Sequence, residues 1–239
     1  MGDFLETFQE RLSNLCESDG GGDEPRSGGW EESHTEQICA IADSLGILER
    51  PDYTFQELIS QSGIFLGTEH VVELDTVDSR VSKITRPPAF GLYPTLVERQ
   101  GLPLPSGRLI ETQRQIELVG SSLSKYLLRW AYSNQVFGDD VRLSSLIRWA
   151  DGALSVGITQ PQYHGRKASE SEIMEFFVRK GWRDVTRRAV RAAFYQPDFN
   201  LVAVDAEPRN CFINTEGLFP FDVVLADAGP DLLEIILKR

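Results

Sequence analysis

Asp205, Asn210 and Asp222 stand in one run, Asp-Ala-Glu-Pro-Arg-Asn-Cys-Phe-Ile-Asn-Thr-Glu-Gly-Leu-Phe-Pro-Phe-Asp. It holds an acid, an amide five residues on, and a second acid beyond an apolar stretch. Phosphoryl transfer draws on such a set. One carboxylate orients the acceptor hydroxyl, while an Asn and a second Asp hold the metal ions that bridge the nucleotide phosphates. On that reading Asp205 is the catalytic carboxylate, and Asn210 and Asp222 are metal ligands. A plainer reading makes Asp-Ala-Glu-Pro a turn that Asn210 caps. The span, the Pro at its fourth place and the second Asp together favour the site.

Short apolar segments must position these groups. Leu201-Val202-Ala203-Val204 reads as a strand that delivers Asp205. Cys211-Phe212-Ile213 and Leu218-Phe219-Pro220-Phe221 read as a hairpin around a Gly-containing turn, which folds Asp222 back toward Asn210. A second hairpin is expected over His70–Leu74 and Arg80–Ile84, with Lys83 on the same face as Val81. A strand Lys of this kind reaches the α- and β-phosphates of a nucleotide, and the plain alternative is a solvated Lys on an edge strand. Gly63 and Gly67 match no phosphate-binding glycine motif.

Composition bounds the answer. With 239 residues and 41% hydrophobic content, the chain can build one sizeable core or two lobes. No apolar run reaches the length of a membrane span, and the N-terminus lacks a basic region followed by an apolar core. Cys16, Cys39 and Cys211 lack metal-ligand spacing and read as reduced thiols in a cytoplasm. The three histidines, His34, His70 and His164, fall in no zinc motif, and His70 is expected partly buried and hydrogen-bonded in its strand. Residues 1–36 contain ten acids and two arginines, so -8 of the net -12 falls on that arm, which argues against its binding nucleic acid.

Helical spacing predicts an amphipathic helix over 3–16, a Gly-rich linker over 17–29, and helices over 31–45, 55–61 and 123–137, the last ending before Gly138. Pro87, Pro88, Gly91 and Pro94 mark an irregular segment, and 103–107 another loop. Strands over 142–148 and 153–159 flank an Asp151-Gly152 turn, and Gln160–Gly165 then breaks the pattern where a hinge between lobes would fall. A capping-box helix begins at Ser169. Arg183, Arg187 and Arg191 recur at four-residue intervals as a basic face, which is ordinarily just solvated. The domains expected are 1–29, an acidic helix and linker; 30–159, helices and an N-lobe; and 160–239, a hinge and minimal C-lobe.

Lys83, the Gly67–Val72 strand, Asn134–Asp140, Thr159–Gly165 and Asp205–Asn210, read in order, resemble the small kinase-like domains of polyvalent proteins. These are protein-kinase-fold modules of phages, mobile elements and bacteria, and the resemblance covers residues 35–228. It implies an α+β, compact two-lobed protein-kinase-like fold with a truncated C-lobe, and ATP and Mg²⁺ as cofactors. Lys83 would pair the phosphates, Gln160, Gln162 and Tyr163 would lie in the hinge beside the adenine, Asp205 would be catalytic, and Asn210 with Asp222 would hold Mg²⁺. The chain departs from the pattern in three ways. Ala203-Val204 replaces the His-Arg before the catalytic Asp, Phe221-Asp222-Val223 replaces Asp-Phe-Gly, and only 17 residues follow Asp222, short for an activation loop. The acid partner of Lys83 is unassigned. The function expected is an ATP- and Mg²⁺-dependent phosphotransferase with a protein or small-molecule acceptor. The alternatives are a nucleotide-binding pseudokinase acting as an interaction module, and a purely structural module.

Overall fold

The two hydrophobic periods of the chain, near 3.6 and near 2, resolve into a mixed α+β fold in the computed structural model, which describes residues 4–18, 32–61, 64–75, 78–99 and 113–238. Before Leu92 the chain forms α1 (Phe4–Ser18), α2 (Glu32–Ser44), β1 (Leu48–Glu49), α3 (Phe55–Ile59), β2 (Phe65–Leu66), β3 (His70–Asp75) and β4 (Arg80–Thr85). Next come β5 (Leu92–Arg99), β6 (Gln113–Gly120), α4 (Leu123–Phe137), β7 (Arg142–Arg148), β8 (Leu154–Pro161) and β9 (Arg166–Lys167). The remainder is α5 (Glu170–Arg179), β10 (Arg183–Asp184), β11 (Ala193–Gln196), β12 (Leu201–Val204), β13 (Cys211–Ile213), β14 (Leu218–Pro220), β15 (Val224–Asp227) and α6 (Pro230–Leu237). The expected loop at 103–107 and all but the first two residues of the expected linker lie outside the described residues. No helix among the described residues is long and apolar enough to cross a membrane.

The chain divides into two units, Met1–Leu92 with Gly120–Gln162, and Tyr93–Val119 with Tyr163–Arg239. The division therefore differs from the expected boundaries, because β5 and β6 leave the first unit and belong to the second. β5 begins in the segment read as irregular from Pro87, Pro88, Gly91 and Pro94. Pro94 is tolerated in β5 because, among the described residues, that strand pairs with β6 alone, and a strand edge needs no N–H from it.

In the first unit a six-stranded sheet runs β1-β7-β8-β4-β3-β2. Lys83 on β4 is flanked by Val72 of β3 and Ile158 of β8. It is therefore in an interior strand and 4% exposed, which overturns the edge-strand reading. Gln160 and Pro161 extend β8, so the break comes only at 162–165. β7 carries a bulge between Leu143 and Ser145, and Gly157 of β8 accommodates it, since a Cβ there would lie 2.4 Å from Ser145 Oγ.

One apolar core joins α1, α2, α4 and the strands. It includes Phe8, Leu12, Ile38, Leu127, Trp130 and Val156. The helix of the N-terminal arm is thus not set apart from the rest of the unit. Leu5, Phe8 and Leu12, at 1%, 1% and 0% exposure, are its buried face. Full burial of such side chains contributes about 1.5–3 kcal/mol each. α4 is capped by Ser122, whose Oγ accepts from the Lys125 N–H, and Gly138 ends it at φ +71°, a conformation that favours glycine.

In the second unit the strand order β10-β11-β12-β15 forms one sheet and β14-β13-β9 another. Every residue of β12 is buried, as expected for a central strand covered on both faces. Val202, Val204, Ala226, Ile116, Leu232 and Ile235 belong to this unit's core. Ser169 caps α5 with Glu172 in a reciprocal box, as its sequence pattern predicts. The arginines at 183, 187 and 191 do not form one helical face. Arg183 is in β10, Arg187 is in a single 3-10 turn at Thr186–Arg188, and Arg191 lies beyond it.

Candidate functional site

The second unit holds Asp205, Asn210 and Asp222 in one local framework. β12 ends at Val204 and the chain turns sharply at Asp205, whose φ is +65°. An L residue in that region costs about 1–2 kcal/mol unless it is Gly, Asn or Asp, and here the surrounding bonds hold it. Asn210 Nδ2 donates to the Asp205 carbonyl at 2.8 Å, Glu207 N–H donates to the same carbonyl at 2.9 Å, and Asn210 N–H donates to Glu207 O at 2.8 Å. These are the bonds of the plainer reading, a turn that the Asn210 side chain caps, and they engage the amide nitrogen and leave its carbonyl oxygen, Oδ1, outside the turn. β13 and β14 pair with Cys211 opposite Pro220, and Phe221 N–H donates to Asn210 O at 3.1 Å. That last bond brings the chain of Asp222 back beside Asn210, as the hairpin reading expects.

Two guanidinium groups hold the Asp205 carboxylate. Arg209 Nη2 and Arg191 Nη1 both donate to Oδ1, the latter at 3.2 Å, and Oδ2 takes part in neither bond. Arg209 also binds Glu207 at 2.8 Å, and the charges of Asp205, Glu207 and Asp222 all act on it, with the Asp205 bond dominant in raising its pKa. The Asp205 and Glu207 carboxylates therefore share the Arg209 guanidinium, and Asp222 acts on it through its charge. Cys211 is no nucleophile here, because burial pushes its thiol up to about 12, with the Asp205 charge adding to the effect.

The first unit carries the other expected residues. Lys83 Nζ lies 5.5 Å from the Trp130 ring centroid on α4, within cation–π range. Asp139, just past the cap of α4, is an acid on which the Lys83 charge acts. Ser133 Oγ donates to its Oδ2 at 2.8 Å, and Asn134 clamps the loop through two 2.9 Å bonds to the Val141 backbone. Burial raises the Asp139 pKa to about 6, against the lowering effects of the Ser133 bond and the Lys83 charge. The Asp139 carboxyl thus contributes most to stability below its unfolded pKa, near 3.8, and that contribution is lost as pH rises through about 6. Asp139→Asn, which keeps the Ser133 bond, is expected to gain stability over wild type at pH 7.5 by on the order of 3 kcal/mol, the gain vanishing toward pH 4. Urea titrations of both proteins across that range measure it. A difference independent of pH would place Asp139 in solvent.

Gln160, Gln162 and Tyr163 have different surroundings. Gln160 pairs with Val81 in the sheet, on the Lys83 face, and its Oε1 is buried without a hydrogen-bond partner among the described residues. Gln162 N–H donates to Ser79 O at 2.9 Å. Tyr163 begins the second unit's last segment and stacks on Phe219 at 5.3 Å. His70 is buried and its Nε2 is 2.9 Å from Tyr126 Oη, so it is a core histidine as expected. Arg191, Glu207, Arg209 and Asp139 escaped sequence reasoning. Only Glu207 and Arg209 had a signal, their alternating charges inside the Asp205–Asn210 run.

The chain matches no protein-family model, no curated protein and no solved structure.

Proposed function

We propose that this protein is an ATP- and Mg²⁺-dependent phosphotransferase of compact two-lobed, protein-kinase-like architecture with a truncated C-lobe, as its resemblance to the kinase-like domains of polyvalent proteins implies. The observation that carries the reading is the Asp205–Asn210 turn, in which a left-handed Asp has its carbonyl gripped by the amide five residues on. The return of the chain to Asn210 just before Asp222 supports it, as does Lys83 on an interior strand beside α4 and Asp139. Asp205 Oδ2 accepts the acceptor hydroxyl and orients it. Lys83 pairs the nucleotide phosphates, with Asp139 offsetting its charge. Asn210 Oδ1 and the Asp222 carboxylate would hold Mg²⁺, which would supply positive charge to the nucleotide phosphates. Arg209 and Arg191 align the Asp205 carboxylate. The free thiols of Cys39 and Cys211 accord with a reducing, cytoplasmic setting.

Isothermal titration with ATP, with and without Mg²⁺, tests the proposal. Wild type is expected to bind Mg²⁺-ATP. Asp222→Asn is expected to weaken that binding on the order of tenfold or more while changing metal-free ATP binding little, because the carboxylate's task is to hold the cation. Equal losses in the two titrations would remove Asp222 from the metal site.

A second reading is a nucleotide-binding pseudokinase serving as an interaction module. The observation that favours it is the double ion pairing of Asp205 behind Ala203-Val204, where the usual His-Arg pair is missing. Turnover distinguishes the two readings.

A further inference from the structure

A cavity of about 430 Å³ lies wholly within the second unit, and its wall includes Ala206, Glu207 and Pro208, the three residues that directly follow Asp205. Its body is apolar, formed by Ile173 and Met174 of α5 with Val190, Ala192 and Phe194. The polar groups on the wall are nearly all committed. Thr186 Oγ1 accepts from Ala193 N–H at 3.1 Å. Arg191 is bound to Asp205 and Glu207, and Glu207 is bound to Arg209 as well. Of the two acids in the first turn of α5, Glu172 closes the capping box and pairs with Arg166. Among the polar groups of the wall, Glu170, exposed in the first turn of α5, is the one with neither a hydrogen bond nor an ion pair among the described residues.

A volume of this size fits a small molecule and excludes a folded partner. The open carboxylate selects a cation, and the apolar walls select a hydrocarbon body. We infer that this cavity is the acceptor pocket and that the phosphate acceptor is a small alcohol carrying an amine on a hydrocarbon or aromatic body. The inference rests on the phosphotransferase reading. The acceptor oxygen forms a bond to the γ-phosphorus as the bond from that phosphorus to the β,γ-bridging oxygen breaks. The hydroxyl proton passes to Asp205 and then to solvent, and the products are a phosphate monoester and ADP.

Phenylalaninol, 3-phenylpropan-1-ol and 3-phenyllactate form a matched cationic, neutral and anionic set of hydroxylated probes. Calorimetric titration of the full chain in the presence of a non-hydrolysable ATP analogue and Mg²⁺ is expected to rank them in that order, with phenylalaninol about fivefold tighter than the neutral alcohol, the size of one solvent-accessible ion pair. Glu170→Gln should remove that preference and leave the neutral alcohol unchanged. Met174→Trp, which fills the cavity from α5, should weaken all three about tenfold or more without altering Mg²⁺-ATP affinity. With ATP, phenylalaninol should be converted to its phosphate ester. Equal affinity for the three probes, or indifference to Met174→Trp, overturns the inference and leaves the nucleotide reading standing. So does phosphorylation of an arginine-flanked serine peptide when phenylalaninol neither binds nor reacts. Probe binding as expected, without ester formation and without Mg²⁺-ATP binding, overturns both the acceptor role and the phosphotransferase reading, leaving only a cation-selective pocket.

Discussion

Asp205→Asn is expected to leave folding and Mg²⁺-ATP affinity nearly unchanged while slowing phosphate transfer and ATP hydrolysis on the order of 10² or more. The substitution isolates the carboxylate from the turn. Asn tolerates the left-handed φ of +65°, and the bonds from Asn210 and Glu207 go to the backbone carbonyl, which is unaltered. Arg209 keeps Glu207 as a partner, so no guanidinium is stranded. What disappears is an anionic oxygen able to accept the hydroxyl proton. Binding and turnover must be followed on one sample. Wild type that binds Mg²⁺-ATP but turns over no faster than the variant, with water or any acceptor, would sink the phosphotransferase reading in favour of the pseudokinase.

Loss of α1 has the largest expected effect on stability. Phe8→Ala should destabilise the protein by about 3–5 kcal/mol, the usual cost of emptying a buried aromatic site. That is a large part of the roughly 5–15 kcal/mol by which a domain is stable. Deletion of residues 1–18, which also removes the buried Leu5 and Leu12, should abolish cooperative unfolding of the first unit. Glu6→Ala, at an exposed position of the same helix, is the control and should stay within about 0.5 kcal/mol of wild type. Denaturant titrations decide the matter. A deletion variant that melts like wild type would show that α1 is an appendage, as its Gly-rich neighbourhood suggests from sequence.

Elements whose signals lie within a few residues were legible in advance. Helix periodicity and the cap at Gly138 located α4, the Ser169–Glu172 pair located the start of α5, and the alternating apolar segments located β3, β4, β13 and β14. The Asp205–Asn210 turn and the return to Asp222 were legible for the same reason, since every bond in that framework spans a short stretch of chain. Strand β5 was not, because Gly91 and Pro94 look like loop, and its partner β6 lies outside any local window.

The rest depends on groups far apart in sequence meeting in one environment. Whether Lys83 is solvated or buried follows from its strand's pairing with β8, more than seventy residues on. That the Lys83 charge acts on Asp139 follows from Ser133 and Asn134 anchoring a loop under α4. Asp205 receives two guanidinium groups, one of them from Arg191, whose spacing with other arginines had suggested only a solvated face. The N-terminal arm is acidic by composition, yet three of its apolar side chains complete a core. Sequence by itself determined the local hydrogen-bonded frames and the residue types at the site. Tertiary structure decided which charges are buried together, because desolvation and ion pairing are properties of a shared environment and no single segment encodes them.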